Sequence, residues 1–476
     1  MMKNLKRKVG YGFGDMASSM FWKIFSYYLP FFYSNVFGLS LVDAGALVLA
    51  TRVWDAVSDL MMGLIADRTN TKMGKYRPYL LWFAAPFAVC GILLFTTPDF
   101  DYAGKLLWAC FTYVLMMTVY TCINVPYAAM LGVITADPKE KTVYSSFRMF
   151  FAYTGSFIAL AFWEPLCSMF QSLFGMSESG GWQWAMVVIA LMCFCFFIIC
   201  FLMTKEVVHS RKTSSIGYDF KVLLRNRPWW ILVVVALGSN LFNTLRGATV
   251  AYFFADVIGS DASVWLFGLS VIFYSGLFLS IGEVANMIGV ALAVPIANVL
   301  GKKTSYILVN VCLIVFSISF CFMPLTPVGM FGMLVLQIVI SILTGILSPL
   351  IWSMYADAAD YSELTYSTVS TGLIFSSSSM AQKFGGALGG ASVLWLLGIF
   401  GYVATSGWEQ PQSAINCLWA LMSYIPAAVA LLAVVAMLFY PLTTDKMKTI
   451  CENLKSCRDK RPREMRYLYE EEEDDF

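Results

Sequence analysis

The sequence predicts an all-α membrane protein: twelve transmembrane helices in two halves of six. Three observations carry that reading. Of the 476 residues 59% are hydrophobic and only 13% charged, whereas an ordinary soluble domain carries roughly 25% charge. The apolar residues gather into stretches of the length, about 20 residues, that a helix needs to cross a bilayer. Local features of the first half then recur in the second.

In order, the spanning stretches lie near 11–36, 41–66, 78–97, 105–134, 147–175 and 182–204. They resume near 229–257, 270–300, 305–323, 329–356, 371–403 and 415–440. The chain thus divides into an N-terminal half (1–204), a central loop (205–228), a C-terminal half (229–440) and a charged tail (441–476). The basic start, MMKNLKRKV, runs directly into the first apolar stretch, so no cleavable leader is expected. Lys3, Lys6, Arg7 and Lys8 precede helix 1, and Arg68, Lys72, Lys75 and Arg77 fill the 2–3 loop. Lys205, Arg211, Lys212, Lys221, Arg225 and Arg227 mark the central loop, and Lys302 and Lys303 the 8–9 loop. Among the short connections on the other side only Lys105 is basic. This bias puts the basic side, with both termini, in the cytoplasm. Lys446–Arg466 is expected to meet anionic membrane lipid, and the final EEEEDDF to be solvated. A net charge of +2 gives no reason to expect a nucleic-acid partner. The twelve Cys lie mostly within apolar stretches, as Cys193, Cys195 and Cys200 do, and the only histidine is His209, so they read as small core residues.

The halves echo each other. Pro126 precedes Asp137 by eleven residues and Pro349 precedes Asp360 by the same interval; Gly74-Lys75 reappears as Gly301-Lys302. Duplicated six-helix halves with the substrate held between them are the major facilitator architecture.

Helix 2 carries the chemistry. Arg52, Asp55 and Asp59 fall within two turns of an otherwise apolar stretch, and Asp55 and Asp59, four residues apart, project from one face. One mid-membrane aspartate costs about 2.5–3.5 kcal/mol on insertion scales, and two neighbours push each other toward protonation. Arg52 alone is too little for two anions. The pair therefore reads as a site for a small monovalent cation, Na⁺ or H⁺; the competing reading is a structural ion pair between Arg52 and one aspartate.

YGFGD (Tyr11–Asp15), RVWDAVSD (Arg52–Asp59), GLIADRTNTKMGKYRPYL (Gly63–Leu80), INVPYAAM (Ile123–Met130), SSFRMFFAYTG (Ser145–Gly155), ADAADY (Ala356–Tyr361) and QKFGGALGG (Gln382–Gly390) point further. Through them the whole chain resembles the glycoside–pentoside–hexuronide:cation symporters, the family of the melibiose permease. That resemblance implies a cation-coupled sugar transporter rather than an enzyme, with no cofactor beyond the coupling ion, working as a monomer in a bacterial inner membrane. It implies that Asp55 and Asp59 coordinate the cation with a hydroxyl of helix 4, matched by Thr121, and that Ser58 replaces an amide that favours Na⁺ in the permease. The implied sugar pocket draws on helices 1, 4, 5 and 11. Arg148 and Lys383 match basic residues there, while Ser19 and Asn124 replace sugar-binding aspartates and Ala128 a tryptophan, which points away from melibiose itself.

Lys23 lies one turn beyond Ser19 on the same face. With Arg148 and Lys383 it makes three positive charges facing a pocket that has lost two family carboxylates, which points to an acidic saccharide such as a hexuronide. Trp22, Tyr27, Tyr28, Tyr120 and Trp352 offer rings to a sugar, and Arg246, Glu164 and Glu283 are intramembrane charges whose partners the sequence does not name. Asp67, Arg68, Lys75, Arg77, Asp137, Asp357, Asp360 and Glu363 cluster at cytoplasmic helix ends and are expected to form an inner gate of charged pairs. Pro126 and Pro349 permit kinks in helices 4 and 10.

Two rivals remain. Gly12-Phe13-Gly14-Asp15 spells the GxGD signature of intramembrane aspartyl proteases, whose chemistry needs a second aspartate sharing a proton; no YD motif precedes it. A sodium-coupled lysophospholipid carrier would share the helix 2 aspartate but need an apolar channel, where this chain offers Ser18, Ser19, Asn124 and Gln382.

Overall fold

The computed structural model describes residues 2–69, 71–134, 138–206, 223–259, 263–266, 269–366, 371–404 and 409–459. Helix α1 (Met2–Tyr27) continues through one turn at Leu29–Phe31 and a π-helical turn at Phe32–Val36. Ser40 caps α2 (Leu41–Arg68), its hydroxyl accepting from the Asp43 amide. Then come α3 (Arg77–Leu94), α4 (Tyr102–Ile134), α5 (Pro138–Phe174) and α6 (Glu178–Met203). Asn226 caps α7 (Arg227–Phe253), accepting from the Trp229 amide at 3.2 Å. A short antiparallel hairpin follows, β1 (Ser263–Leu266) with β2 (Leu269–Ile272), the second strand reaching into the stretch near 270–300 expected as helix 8. The rest is α8 (Ser275–Leu300), α9 (Lys302–Phe320), α10 (Pro327–Tyr366), α11 (Thr371–Ile399), α12 (Gln412–Met422), α13 (Tyr424–Leu438) and α14 (Thr444–Asp459).

Among the described residues nine helical segments are long and apolar enough to cross a membrane. Three further long helices, α1, α2 and α11, are more polar; they carry Asp15 and Lys23, Asp55 and Asp59, and Lys383. Helices α5 and α10 run well past their hydrophobic stretches, because a helix can leave the hydrocarbon on polar residues without breaking its own hydrogen bonds.

The duplication shows in the packing. In the first half α1 lies on α5 and α6, α2 on α4, and α3 on α4 and α6. The second half repeats the scheme: α7 lies on α11 and α13, α8 on α10, and α9 on α10 and α13. The halves meet through α2 with α11, α5 with α8, and α1 with α7, pairings that map onto themselves when the halves are exchanged. Small residues permit the closest approaches. Gly155 faces the Met16 carbonyl, Gly289 and Gly345 lie between α8 and α10, and Gly385 and Gly389 seat α11 on the backbone of α7 at Leu237 and Leu241. The echoed glycines of the two basic loops share a conformation: Gly74 and Gly301 have φ of 119° and 79°, a region costly to residues with a Cβ.

The last spanning segment breaks at Ser423. Pro426 has no N–H to give the Met422 carbonyl, and a guanidinium nitrogen of the buried Arg246 on α7 donates to that carbonyl instead.

Candidate functional site

Between the halves lies a cavity of about 390 Å³, within the ~300–1,000 Å³ range of small-molecule sites. Ser19, Trp22, Lys23, Tyr120, Asn124, Arg148 and Lys383 all line it, with Asp15, Ser26, Arg52, Asp59 and Ala128. Helix α7 adds Asn240 and Thr244, which the sequence reading missed although amides and hydroxyls in an apolar helix are a usable signal.

Asp55 and Asp59 stand side by side, Asp59 at the cavity wall and Asp55 behind it. Asp55 is fully buried, and Asp59 keeps 28% of its side chain exposed toward the cavity. The Thr121 hydroxyl from α4 lies 3.2 Å from Asp55 Oδ1 and 3.0 Å from Asp59 Oδ1. Ser58 donates to the Asp55 carbonyl at 3.0 Å and lies 3.3 Å from the Thr121 hydroxyl. The four residues thus form one cluster of oxygens, which suits a small hard cation.

Lys383, expected from the sequence to contact substrate, lines the cavity and also crosses from α11 to the helix 2 pair: its ammonium lies 3.3 Å from Asp55 Oδ2 and bonds Asp59 Oδ2. A positive charge from the opposite half therefore sits against both aspartates. Arg52 is a weaker partner, 3.8 Å from Asp55 Oδ2 and stacked 4.4 Å over the Trp22 ring. Asp55 Oδ2 is buried without a hydrogen bond, held by these ion pairs alone.

The three positive charges expected to face the pocket all line it, and each has a carboxylate partner. Arg148 Nε donates to Asp15 Oδ2 at 2.9 Å, and Lys23 lies 2.5 Å from Glu283 Oε1. Both pairs arise from residues that sequence separates by more than a hundred positions, so spacing could not announce them. The Asp15–Arg148 pair also removes the basis for the GxGD reading, because Asp15 shares its site with a guanidinium instead of a second carboxyl.

Some of the residues expected at an inner gate have partners within their own half. Lys302 bonds both oxygens of Asp357 at 2.7 Å, a clasp between α9 and α10 inside one half. Glu206 accepts from the backbone N–H of Lys75, Tyr76 and Arg77 at 2.7 Å, and the Arg77 side chain donates to the Phe201 carbonyl at 2.8 Å, so this loop is fastened to its own half. Asp360 lies one turn beyond Asp357 on α10. Asp137 and the side chains of Asp67 and Arg68 lie outside the described residues.

At the α1–α2 end a polar seam joins the halves, and sequence reading did not foresee it. Glu164, an intramembrane charge whose partner the sequence does not name, is part of this seam: Tyr28 donates to it at 3.1 Å, and Ser275 from the other half also bonds it. Ser34 lies 2.7 Å from the Tyr252 hydroxyl. Asn35 donates to Tyr402 at 3.0 Å, and Tyr402 donates to Asp256 at 2.6 Å. Tyr28 is thus spent on this seam rather than facing the cavity, and Trp352 lines a neighbouring lobe.

Residues 10–444 match the family model described as MFS/sugar transport protein. The chain is 33% identical over 453 residues to the inner membrane symporter YicJ of Escherichia coli K12, covering 95% of each chain. It is 30% identical to the isoprimeverose transporter of Lactiplantibacillus pentosus, covering 94% of this chain and 90% of that one. In fold it is similar to a bacterial homologue of human drug peptide transporters, with a TM-score of 0.67 at 12% identity, covering 94% of this chain and 99% of that one.

Proposed function

This chain belongs to the MFS/sugar transport protein family, an integral membrane cation-coupled sugar symporter and not an enzyme, and we propose that Asp55, Asp59, Thr121 and Ser58 form its cation site. The observation that carries the proposal is the bridging of both aspartates by Lys383. In this conformation the ammonium, with Arg52, offsets the charge of the pair. A Na⁺ or H⁺ arriving at the aspartates takes over that task and releases Lys383 into the cavity, beside Asn124, Gln382 and Thr244, where it can donate to sugar hydroxyls. Cation and sugar therefore favour each other, and by linkage each tightens the other by the same factor. Ser19, Trp22, Lys23, Tyr120, Asn124 and Arg148 make the remaining sugar contacts.

By the positive-inside rule the basic loops are cytoplasmic and the α1–α2 end is external. The polar seam is then an outer gate, closed in this conformation, and rocking of the halves 1–204 and 229–440 opens it while closing the cytoplasmic side. Both termini are cytoplasmic, the membrane is a bacterial inner membrane, and the monomer is sufficient. The polar cavity lining supports a sugar over a lysophospholipid.

The test is saccharide binding to Asp59→Asn, titrated against Na⁺ and pH. Sugar affinity should lose its response to the coupling cation; a response equal to that of the parent protein refutes the assignment.

A further inference from the structure

We propose that Glu283 sets the charge of the accepted sugar, by holding Lys23 neutralised so that uncharged glycosides are taken and uronic acids refused. The inference rests on the sugar-symport reading and goes further, to substrate class. Lys23 borders both the main cavity and an adjoining lobe of about 170 Å³ that includes Asn243, Asn286 and Thr344. Its ammonium lies 2.5 Å from Glu283 Oε1 and donates to the Tyr27 hydroxyl at 3.2 Å, which leaves one of its three N–H donors for a ligand. The side chain of Lys23 is 21% exposed and that of Glu283 only 4%.

With Lys383 on the aspartates the charge around the cavity is balanced, and the ammonium that cation binding frees is common to the parent and Glu283→Gln, so a difference between them reports Lys23 and Glu283. Arg148 belongs to Asp15, while Lys383 and Arg52 belong to Asp55 and Asp59. Lys23 is the cation whose compensation depends on a residue outside both those groups. A neutral sugar can accept the spare N–H and leave the pair intact. A sugar carboxylate would have to draw Lys23 off Glu283, whose Oε2 is already buried without a hydrogen bond, and would strand a buried anion, a costly outcome. Three unpaired cations would have selected the opposite charge.

The test compares matched pairs, phenyl β-D-glucoside with phenyl β-D-glucuronide and the corresponding galactoside with the galacturonide, binding to the purified full chain at one fixed pH without Na⁺, where Lys383 stays on the aspartates. The parent protein should prefer the neutral member by about tenfold or more. Glu283→Gln should move that ratio toward the acidic member by about tenfold, and the shift should vanish in Lys23→Met/Glu283→Gln, which separates charge selection from a packing defect. If Glu283→Gln fails to fold, Lys23→Met alone serves, since an uncompensated Glu283 should reject the acidic member more strongly than the parent does. A parent preference for the acidic member overturns the inference, as does a ratio unmoved in Glu283→Gln or a shift that persists without Lys23. Binding of neither member of any pair, under any cation, overturns the sugar reading beneath it.

Discussion

Replacing Lys383 by Gln should make the protein bind its coupling cation more tightly, though a positive charge beside two aspartates would ordinarily be counted as part of their support. The reason is competition. The ammonium lies 3.3 Å from Asp55 Oδ2, an attraction of about 5 kcal/mol at an effective dielectric of about 20. Drawing the ammonium out of water cancels much of this, and 22% of the side chain remains exposed. A net ~1–3 kcal/mol is left for an incoming cation to overcome, so the dissociation constant should fall about 5- to 150-fold. The assay is titration of purified Lys383→Gln with Na⁺, Li⁺ and H⁺, read by calorimetry or by the fluorescence of Trp22 at the cavity wall. The sugar response should change in the other direction: with no ammonium to release, the cation should alter sugar affinity much less than in the parent. Unchanged or weaker binding of all three cations would refute the competition argument.

Three further predictions follow from other parts of the molecule. Tyr402→Phe removes the hydroxyl linking Asn35 to Asp256; hydrogen bonds to charged groups are worth about 1.5–3 kcal/mol. External labelling of a cysteine placed at Ser26 by an impermeant thiol reagent should therefore accelerate by about tenfold, and an unchanged rate would remove Tyr402 from the outer gate. Arg246→Leu strands the Met422 carbonyl and the Gln337 amide oxygen, at a cost of about 1–3 kcal/mol for each buried group left unsatisfied; thermal unfolding in detergent should show a lowered Tm, and an unaltered Tm would contradict the role given to the break at Ser423. Gly385→Val drives a Cβ into the Leu237 carbonyl, whereas the Cβ of Gly386→Ala meets only the Thr244 hydroxyl at 3.4 Å. Overpacking of this kind costs about 1–3 kcal/mol, so folded yield should fall for the first variant and hold for the second; equal yields would argue against close α7–α11 contact.

Helices and their order were legible because hydrocarbon imposes one rule along the whole chain, and the duplicated halves were legible from Pro126 and Pro349 and from Gly74 and Gly301. The aspartates of helix 2 stood out because buried charge is rare. Their principal partner did not: Lys383 is 324 positions from Asp59, and nothing local distinguishes a lysine that binds sugar from one that bridges two carboxylates. The same distance concealed Lys23 with Glu283 and Arg148 with Asp15, and so left the counter-charges of the cavity's cations out of the sequence-based balance. The hairpin at β1 and β2 was hidden for a different reason. Only the end of β2 fell within the stretch expected as helix 8, because its Val271 and Ile272 satisfy a hydropathy window as well as a helix does, and only pairing tells the two apart. The break at Ser423 was within reach, since Pro426 announces an unpaired carbonyl four residues earlier.

The most direct test of energised transport at the helix 2 aspartates is sugar-driven cation flux in proteoliposomes holding the full chain. Addition of a transported glycoside should pull Na⁺ or H⁺ inward in fixed proportion to the sugar, and Asp59→Asn should abolish the cation movement. Sugar entry that ignores both ion gradients, or cation flux that survives in Asp59→Asn, would contradict the account.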